Sequence, residues 1–382
     1  MAYFRNSDVN LVNLHFGIRA VSIYGAGAFF FVFMLKSGVA LPLVLVSLAC
    51  ILAGRFIIRP SVVFLAARYG LRNVLVFGTL LNAVEAPLLG EVQGVGSALV
   101  AFCIVSSVAD TYYWTTYHAY FAAVGDHEHR GHQLGVREAV VAIVGIISPL
   151  VMGFALVAFG PRIAFGTTAF IQLFSVIPLL FTPRVPVVRI APGAFKAAIP
   201  GMLLFFADGW IQMGYGIAWQ MALFLSLGED FTAYGGALAI AALVGVVASL
   251  ALGRHIDAGH GKRAVWLAFI VLGATIVFRG AAVGHATLSV IANALGALVA
   301  ALYTPTLMTA VYNLAKGSPC PLRFHVATEG GWDAGGASAC LITALLIYLG
   351  APLAVGVLLS LAGAVGSFVM LRRYYARTSL AT

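Results

Sequence analysis

Ionisable residues inside long apolar runs of this sequence include Arg19, Glu85, Asp110, Asp208 and Arg279. If those runs cross a bilayer, each charge costs at least ~2.5–3.5 kcal/mol to insert at its centre, so each is read as a functional group by default. His15 lies one turn before Arg19. Desolvation favours the protonated form of a carboxyl group. Asp110 or Asp208 is therefore expected to take a proton from one side and release it on the other, with Glu85 a third candidate. Arg19 is expected to pair with a carboxylate or with a substrate. Arg279 and Glu138 lie near enough to run ends to snorkel towards water. Glu329 and Asp333, one turn apart, read as acids near a helix N-terminus, where negative charge is stabilised.

Around these charges the runs carry aromatic, hydroxyl and amide side chains, which can stack on and hydrogen-bond a polar organic solute. Tyr24, Tyr113, Trp114, Tyr117, Gln212, Tyr215, Trp219, Tyr303 and Asn313 join Arg19 as candidate substrate-binding residues. Tyr112, Tyr113 and Trp114 are consecutive, so they diverge around a helix and do not all face one way.

Other chemistries find less support. The segment Asp126-His127-Glu128-His129-Arg130-Gly131-His132 has metal-ligand chemistry, but His-x-His spacing alone is weak, and it sits in a loop away from the bilayer centre. No metal and no cofactor is expected. No GxxxxGK[ST] loop for nucleotide phosphates occurs. The four cysteines are widely separated and read as free thiols rather than a disulfide framework.

The elements that hold these residues follow from composition. Of 382 residues, 62% are hydrophobic and 9% charged, where soluble domains carry about a quarter charged. Mean hydropathy is +1.00. So little charge does not cover a water-exposed surface, and the 42 glycines suit helices packed closely in lipid. A spanning helix needs ~20 mainly apolar residues. Twelve such runs are predicted, at about 11–34, 40–59, 73–90, 95–123, 137–159, 163–182, 198–227, 232–253, 264–283, 286–314, 328–349 and 351–371. The first is long enough to span, so no cleavable leader is expected.

Charge placement orients them. With both termini in the cytoplasm, eighteen of the 22 basic residues fall in cytoplasmic segments, among them Arg55 and Arg59 at the end of the second run and Arg68 and Arg72 before the third. Only Lys36 and Arg162 fall outside. Lys and Arg gather on the cytoplasmic face of membrane proteins. The net charge of +9 is therefore an orientation signal, and nucleic acid is not an expected partner.

The chain divides at its middle. Residues 183–197, basic and proline-bearing, read as a cytoplasmic linker between six-helix bundles at 1–182 and 198–382. A weak internal repeat supports this: Ala119 to Ala123, then Arg130-Gly131-His132 and Glu138, against Val311 to Ala315, then Arg323-Phe324-His325 and Glu329.

Six plus six helices with a central basic linker resemble the major facilitator superfamily. The loop between the second and third spans of each half is the most specific support. The second half has Gly253-Arg254-His255-Ile256-Asp257, then Gly261-Lys262-Arg263. The first half has Ala67-Arg68-Tyr69-Gly70-Leu71-Arg72, with Ala67 where the family carries Asp. The resemblance implies a conformational latch formed by Arg68, Gly70, Arg72, Gly253, Asp257, Gly261, Lys262 and Arg263, with its first half weakened by the missing carboxylate. Gly145, Pro149 and Gly153 fit only part of an exporter pattern, and Asp110 stands where many members carry Arg.

The reading is an all-α integral membrane protein of twelve transmembrane helices in two pseudo-symmetric bundles. It is not an enzyme but a multi-pass transporter of the inner membrane, monomeric and surrounded by lipid. It moves a small polar organic solute by alternating access, coupled to a proton or another ion. An exporter of amphipathic, drug-like compounds by proton antiport is the alternative within that class. Outside it stand a lipid-modifying membrane enzyme and a non-transporting receptor. Arg19 and Arg279 favour an anionic or zwitterionic solute, whereas Asp110 with its aromatic neighbours suits a cation equally well.

Overall fold

A computed structural model of the chain describes residues 6–124, 130–187, 191–256 and 261–378. Twelve helices are long and apolar enough to cross a membrane: α1 Ser7–Lys36, α2 Leu41–Ile58, α3 Leu71–Gly90, α4 Ser97–Phe121, α5 Ala139–Ala158, α6 Gly160–Leu180, α7 Ala194–Ser226, α8 Phe231–Ala248, α9 Arg263–Ala282, α10 Ala286–Lys316, α11 Pro321–Tyr348 and α12 Leu353–Ala376. Each predicted run lies on one of them, and no strand occurs among the described residues.

The boundaries differ most where polar residues continue a helix past its apolar stretch. The α5 helix begins at Arg130, and α11 begins at Pro321, the first-turn position that proline favours. Glu329 and Asp333 therefore lie two and three turns inside α11. The helix-terminus account of these two acids is wrong, because that effect fades within the first turn.

Contacts divide the chain into two compact units: Met1–Val39 with Ala53–Ala191, and Ala40–Leu52 with Pro192–Thr382. Each unit has one membrane helix with a π-helical turn among its described residues, Ile23–Gly27 in α1 and Met213–Ala218 in α7. Both turns hold a Tyr-Gly pair, Tyr24-Gly25 and Tyr215-Gly216. Wider turns of this kind leave backbone groups out of the regular ladder and often mark functional sites.

In the second unit α7 lies along α11 at backbone contact distance. A methyl group on Gly335 would overlap the Phe206 carbonyl, and one on Gly209 would overlap that of Trp332. This close approach brings Asp208 of α7 within reach of the Trp332 indole of α11.

In the first unit the loop after α2 forms a ten-residue helix, Pro60–Tyr69, that ends at Gly70 with φ of +82°. Leu71 N–H then donates to the Val185 carbonyl at 3.0 Å. Arg72 Nη1 donates to the Thr182 carbonyl at 2.8 Å and the Leu180 carbonyl at 3.4 Å. Tyr120 hydroxyl donates to the Pro183 carbonyl at 2.6 Å. Where the carboxylate of the expected latch is missing, Arg72 thus holds the exit of α6 through main-chain carbonyls.

Glu91, just beyond α3, meets Arg162 of α6 in a two-bond pair of 2.8 and 2.9 Å. The Arg162 hydrogen bond holds the Glu91 carboxyl below the usual carboxylate range.

Two predictions follow from this packing. Gly335→Ala should lower the thermal midpoint of the detergent-purified protein, at an overpacking cost on the order of 1–3 kcal/mol. Gly236→Ala in α8, with no atom within 4 Å of the added methyl, should be neutral or slightly stabilising. Because the Glu91 carboxyl titrates lower folded than unfolded, its contribution is present above the unfolded value and lost as pH falls through the folded one. The melting difference between wild type and Arg162→Gln should therefore shrink on acidification below the carboxylate range and hold steady at neutral pH.

Candidate functional site

Polar side chains gather in one centre within each unit. In the first unit the Arg19 guanidinium of α1 lies 3.5 Å above the centroid of the Tyr113 ring and 5.5 Å from that of Trp114, both on α4. Arg19 is 4% exposed, and its Nε is buried without a hydrogen-bond partner.

Tyr113 is itself fixed. The His15 ring has Nδ1 2.7 Å from the Ser175 carbonyl and Nε2 3.1 Å from the Tyr113 hydroxyl. A carbonyl only accepts, so Nδ1 carries the hydrogen and the imidazole takes the Tyr113 hydroxyl hydrogen at Nε2. Tyr117 stacks parallel to Tyr113 at 5.6 Å and 9°, and its hydroxyl accepts from Arg137 at 3.3 Å. Tyr112 leaves this group, as its register demands, and its hydroxyl meets Ser61 at 2.8 Å.

The acids of the first unit sit beside this platform. Arg55 Nη1 lies 3.5 Å from Asp110 Oδ2. Asn82 donates to Glu85 Oε1 at 2.5 Å and lies 3.4 Å from Asp110 Oδ1. Arg59 donates to the Thr115 hydroxyl at 2.7 Å. Arg55 and Arg59 are 7% and 1% exposed, so both leave the count of cytoplasmic loop charges. A basic residue at the end of an apolar run has the same sequence signature whether it anchors the end in water or turns inward. Asn82, at helical spacing before Glu85, is a signal the sequence reading passed over.

In the second unit Asp208 is buried and accepts from the Tyr303 hydroxyl at 2.9 Å and from Trp332 Nε1 at 3.1 Å. The candidate Gln212 lies one turn further along α7. No cation pairs with Asp208 among the described residues.

Arg279 does not snorkel. It is 5% exposed and donates from Nη1 to the Tyr215 carbonyl, in the π-turn of α7, at 2.6 Å. Its guanidinium lies over the rings of Tyr215 at 4.0 Å and Trp219 at 5.0 Å. Gly296 makes room, since any β-carbon there would collide with that guanidinium. The Tyr215 hydroxyl donates to the Gly296 carbonyl at 2.8 Å, and Trp219 donates to Asn293 at 3.1 Å. The polar side-chain atoms of Tyr215 and Trp219 are thus engaged inside the unit, where they brace Arg279 and α10.

Tyr24, 37% exposed, and Asn313 are surface positions of α1 and α10. Of the second-half latch, Asp257 lies outside the described residues, as do the side chains of Arg254 and Lys262; Gly253 and Gly261 are helical, and Arg263 is exposed. Asp126 to His129 also lie outside, and no metal-holding group of three or more side chains occurs among the described residues.

Comparison with known proteins places this architecture. The family profile described as Major Facilitator Superfamily matches residues 15–315. No curated protein matches the chain by sequence. Among solved structures, a POT family transporter in complex with 5-aminolevulinic acid superposes with a TM-score of 0.67 at 13% identity, covering 95% of each chain. A peptide transporter POT in complex with sulfate gives 0.68 at 16%, covering 96% of this chain and 94% of that one. The nucleoside transporter NupG gives 0.65 at 13%, covering 97% and 99%. At these identities the likeness is one of fold.

The Arg55–Asp110 contact gives a stability test. Arg55→Gln strands a carboxylate next to Glu85. Removing one partner of a fully buried pair costs about 3–5 kcal/mol. With the Asp110 side chain 25% exposed, a loss on the order of 1–3 kcal/mol is expected in unfolding measurements. Adding Asp110→Asn should restore most of it, and additive effects in the double-mutant cycle would show that the two side chains do not interact.

Proposed function

The chain belongs to the major facilitator superfamily, and we propose that it is a proton-coupled secondary transporter carrying a small polar organic solute across the cytoplasmic membrane by alternating access. Twelve spanning helices make it a multi-pass membrane protein. A cytoplasmic location of both termini is supported by the Lys and Arg bias, which survives the transfer of Arg55 and Arg59 to the interior, sixteen against two. The bundles at 1–182 and 198–382, joined by the linker at 183–197, are the proposed moving halves of a monomer in lipid. Solved transporters of like fold, among them one in complex with 5-aminolevulinic acid, a peptide transporter and a nucleoside transporter, support a small polar solute as cargo.

The observation that carries the coupling proposal is Asp208, a membrane-helix carboxylate held by neutral donors alone. A proton can settle on it without breaking an ion pair. Trp332 Nε1 only donates, so it keeps Oδ2 as its acceptor. The Tyr303 hydroxyl can reverse and accept from a protonated Oδ1. Protonation therefore inverts the α7–α10 contact and preserves the α7–α11 contact, a local change by which a proton can bias the second unit. Asp110, paired with Arg55, and Glu85, bonded to Asn82, are the secondary candidates.

In proteoliposomes carrying an internal pH dye, addition of dipeptides, amino acids or nucleosides should drive solute-dependent proton movement. Asp208→Asn should abolish it while leaving solute exchange without a gradient in place. If Asp208→Asn and Asp110→Asn both leave proton movement intact, the carrier assignment is wrong.

A further inference from the structure

Charge in the first unit is out of balance, and the imbalance centres on one side chain. Arg19, Arg55, Arg59 and Arg137 gather around the Tyr113 platform and its acids. Arg55 has Asp110, Arg59 has the Thr115 hydroxyl, and Arg137 has the Tyr117 hydroxyl. Glu85 and Asp110 are the acids of this cluster among the described side chains; Glu85 is bonded to the neutral Asn82 and lies within electrostatic range of Arg19, without an ion-pair contact between the two. Four guanidinium groups thus face two carboxyl groups. Arg19 alone of the four makes no hydrogen bond to a described residue, though it is 4% exposed and its Nε is wholly enclosed. Buried cations are costly unless paired.

The geometry restricts what a partner of Arg19 can be. The Tyr113 ring takes the flat face of the Arg19 guanidinium at 3.5 Å, and His15 pins that ring through its hydroxyl. Stacking uses only the face of a guanidinium and leaves its edge, with the N–H fork, free for a planar two-oxygen acceptor. The readings that favoured a cationic solute lose their basis here. Asp110 is already neutralised by Arg55, and the rival basic residue, Arg279, is engaged with the Tyr215 carbonyl.

We infer that Arg19 is the anchor for a carboxylate group of the transported solute, held edge-on while Tyr113 supports the guanidinium from below. One unengaged fork matches one singly charged, planar carboxylate, whereas a phosphate dianion would call for a second uncommitted cation. This inference rests on the transporter reading and adds the substrate's charge class to it.

The test uses detergent-purified full-length protein and matched probes: alanine, dialanine and benzoate, the methyl ester of each, and inorganic phosphate. At least one carboxylate should raise the thermal midpoint while its ester does not, a comparison that needs no variant. Arg19→Gln should weaken that carboxylate about tenfold to a hundredfold, as expected for a lost charge-assisted pair. Arg19→Lys, a point charge without the fork, should fall between. Equal stabilisation by acids and esters overturns the inference, as does stabilisation by phosphate alone or by no carboxylate in the set. Proteoliposome uptake separates the two levels. Uptake of a neutral or cationic solute that Arg19→Gln leaves unchanged sinks the carboxylate anchor and upholds transport. Carboxylate binding without uptake under any ion gradient upholds the anchor and sinks transport.

Discussion

A guanidinium held out of water must find carbonyl oxygens, a carboxylate or an aromatic face, and much of the detail in both units follows from how its arginines meet that demand. Arg55 takes Asp110, and Arg59 takes Thr115. Arg279 takes a main-chain carbonyl and two aromatic rings. Each solution constrains the helices that supply it. The Gly296 position exists because a guanidinium occupies the space of its missing side chain. The π-turn of α7 exposes the Tyr215 carbonyl that Arg279 caps, so distortion and charge stabilise one another.

Glycine plays the complementary part where polar chains must reach across helices. Asp208 and Trp332 meet because α7 and α11 touch along Gly209 and Gly335. In lipid there is no hydrophobic drive to force helices together, so backbone proximity and interhelical hydrogen bonds set such contacts. A methyl at either glycine would part the helices and lengthen the Asp208–Trp332 bond together.

The twelve spans were legible in the sequence because hydropathy over ~20 residues reports directly on the bilayer. The candidates Arg19, Tyr113, Trp114 and Tyr117 were legible as a group because helical spacing on α4 and one helix turn on α1 fix their neighbours. Much of what escaped reading has one cause, that hydropathy is blind to the direction of a side chain. Arg55 and Arg59 looked like loop anchors and Arg279 like a snorkelling end, yet all three turn inward. Glu329 and Asp333 were placed at a helix start because α11 continues through the polar residues before its apolar core. The bracing contacts of Tyr215 and Trp219 with Gly296, Asn293 and Arg279 likewise depend on side-chain direction.

The two units each carry a π-turn, in α1 and in α7, but the surroundings of Arg19 and Asp208 have opposite character. The first is rich in cations and leaves Arg19 unsatisfied. The second holds the Asp208 carboxylate among neutral donors. Were an uncommitted guanidinium placed beside Asp208, the two would pair, and neither a proton nor a solute carboxylate would compete well for them. Keeping the proposed anion anchor and the proposed proton site in different units preserves both as available groups. A solute carboxylate can then meet a guanidinium that forms no ion pair, and a proton a carboxylate that forms none, and two such sites are what coupling between an anionic group and a proton requires.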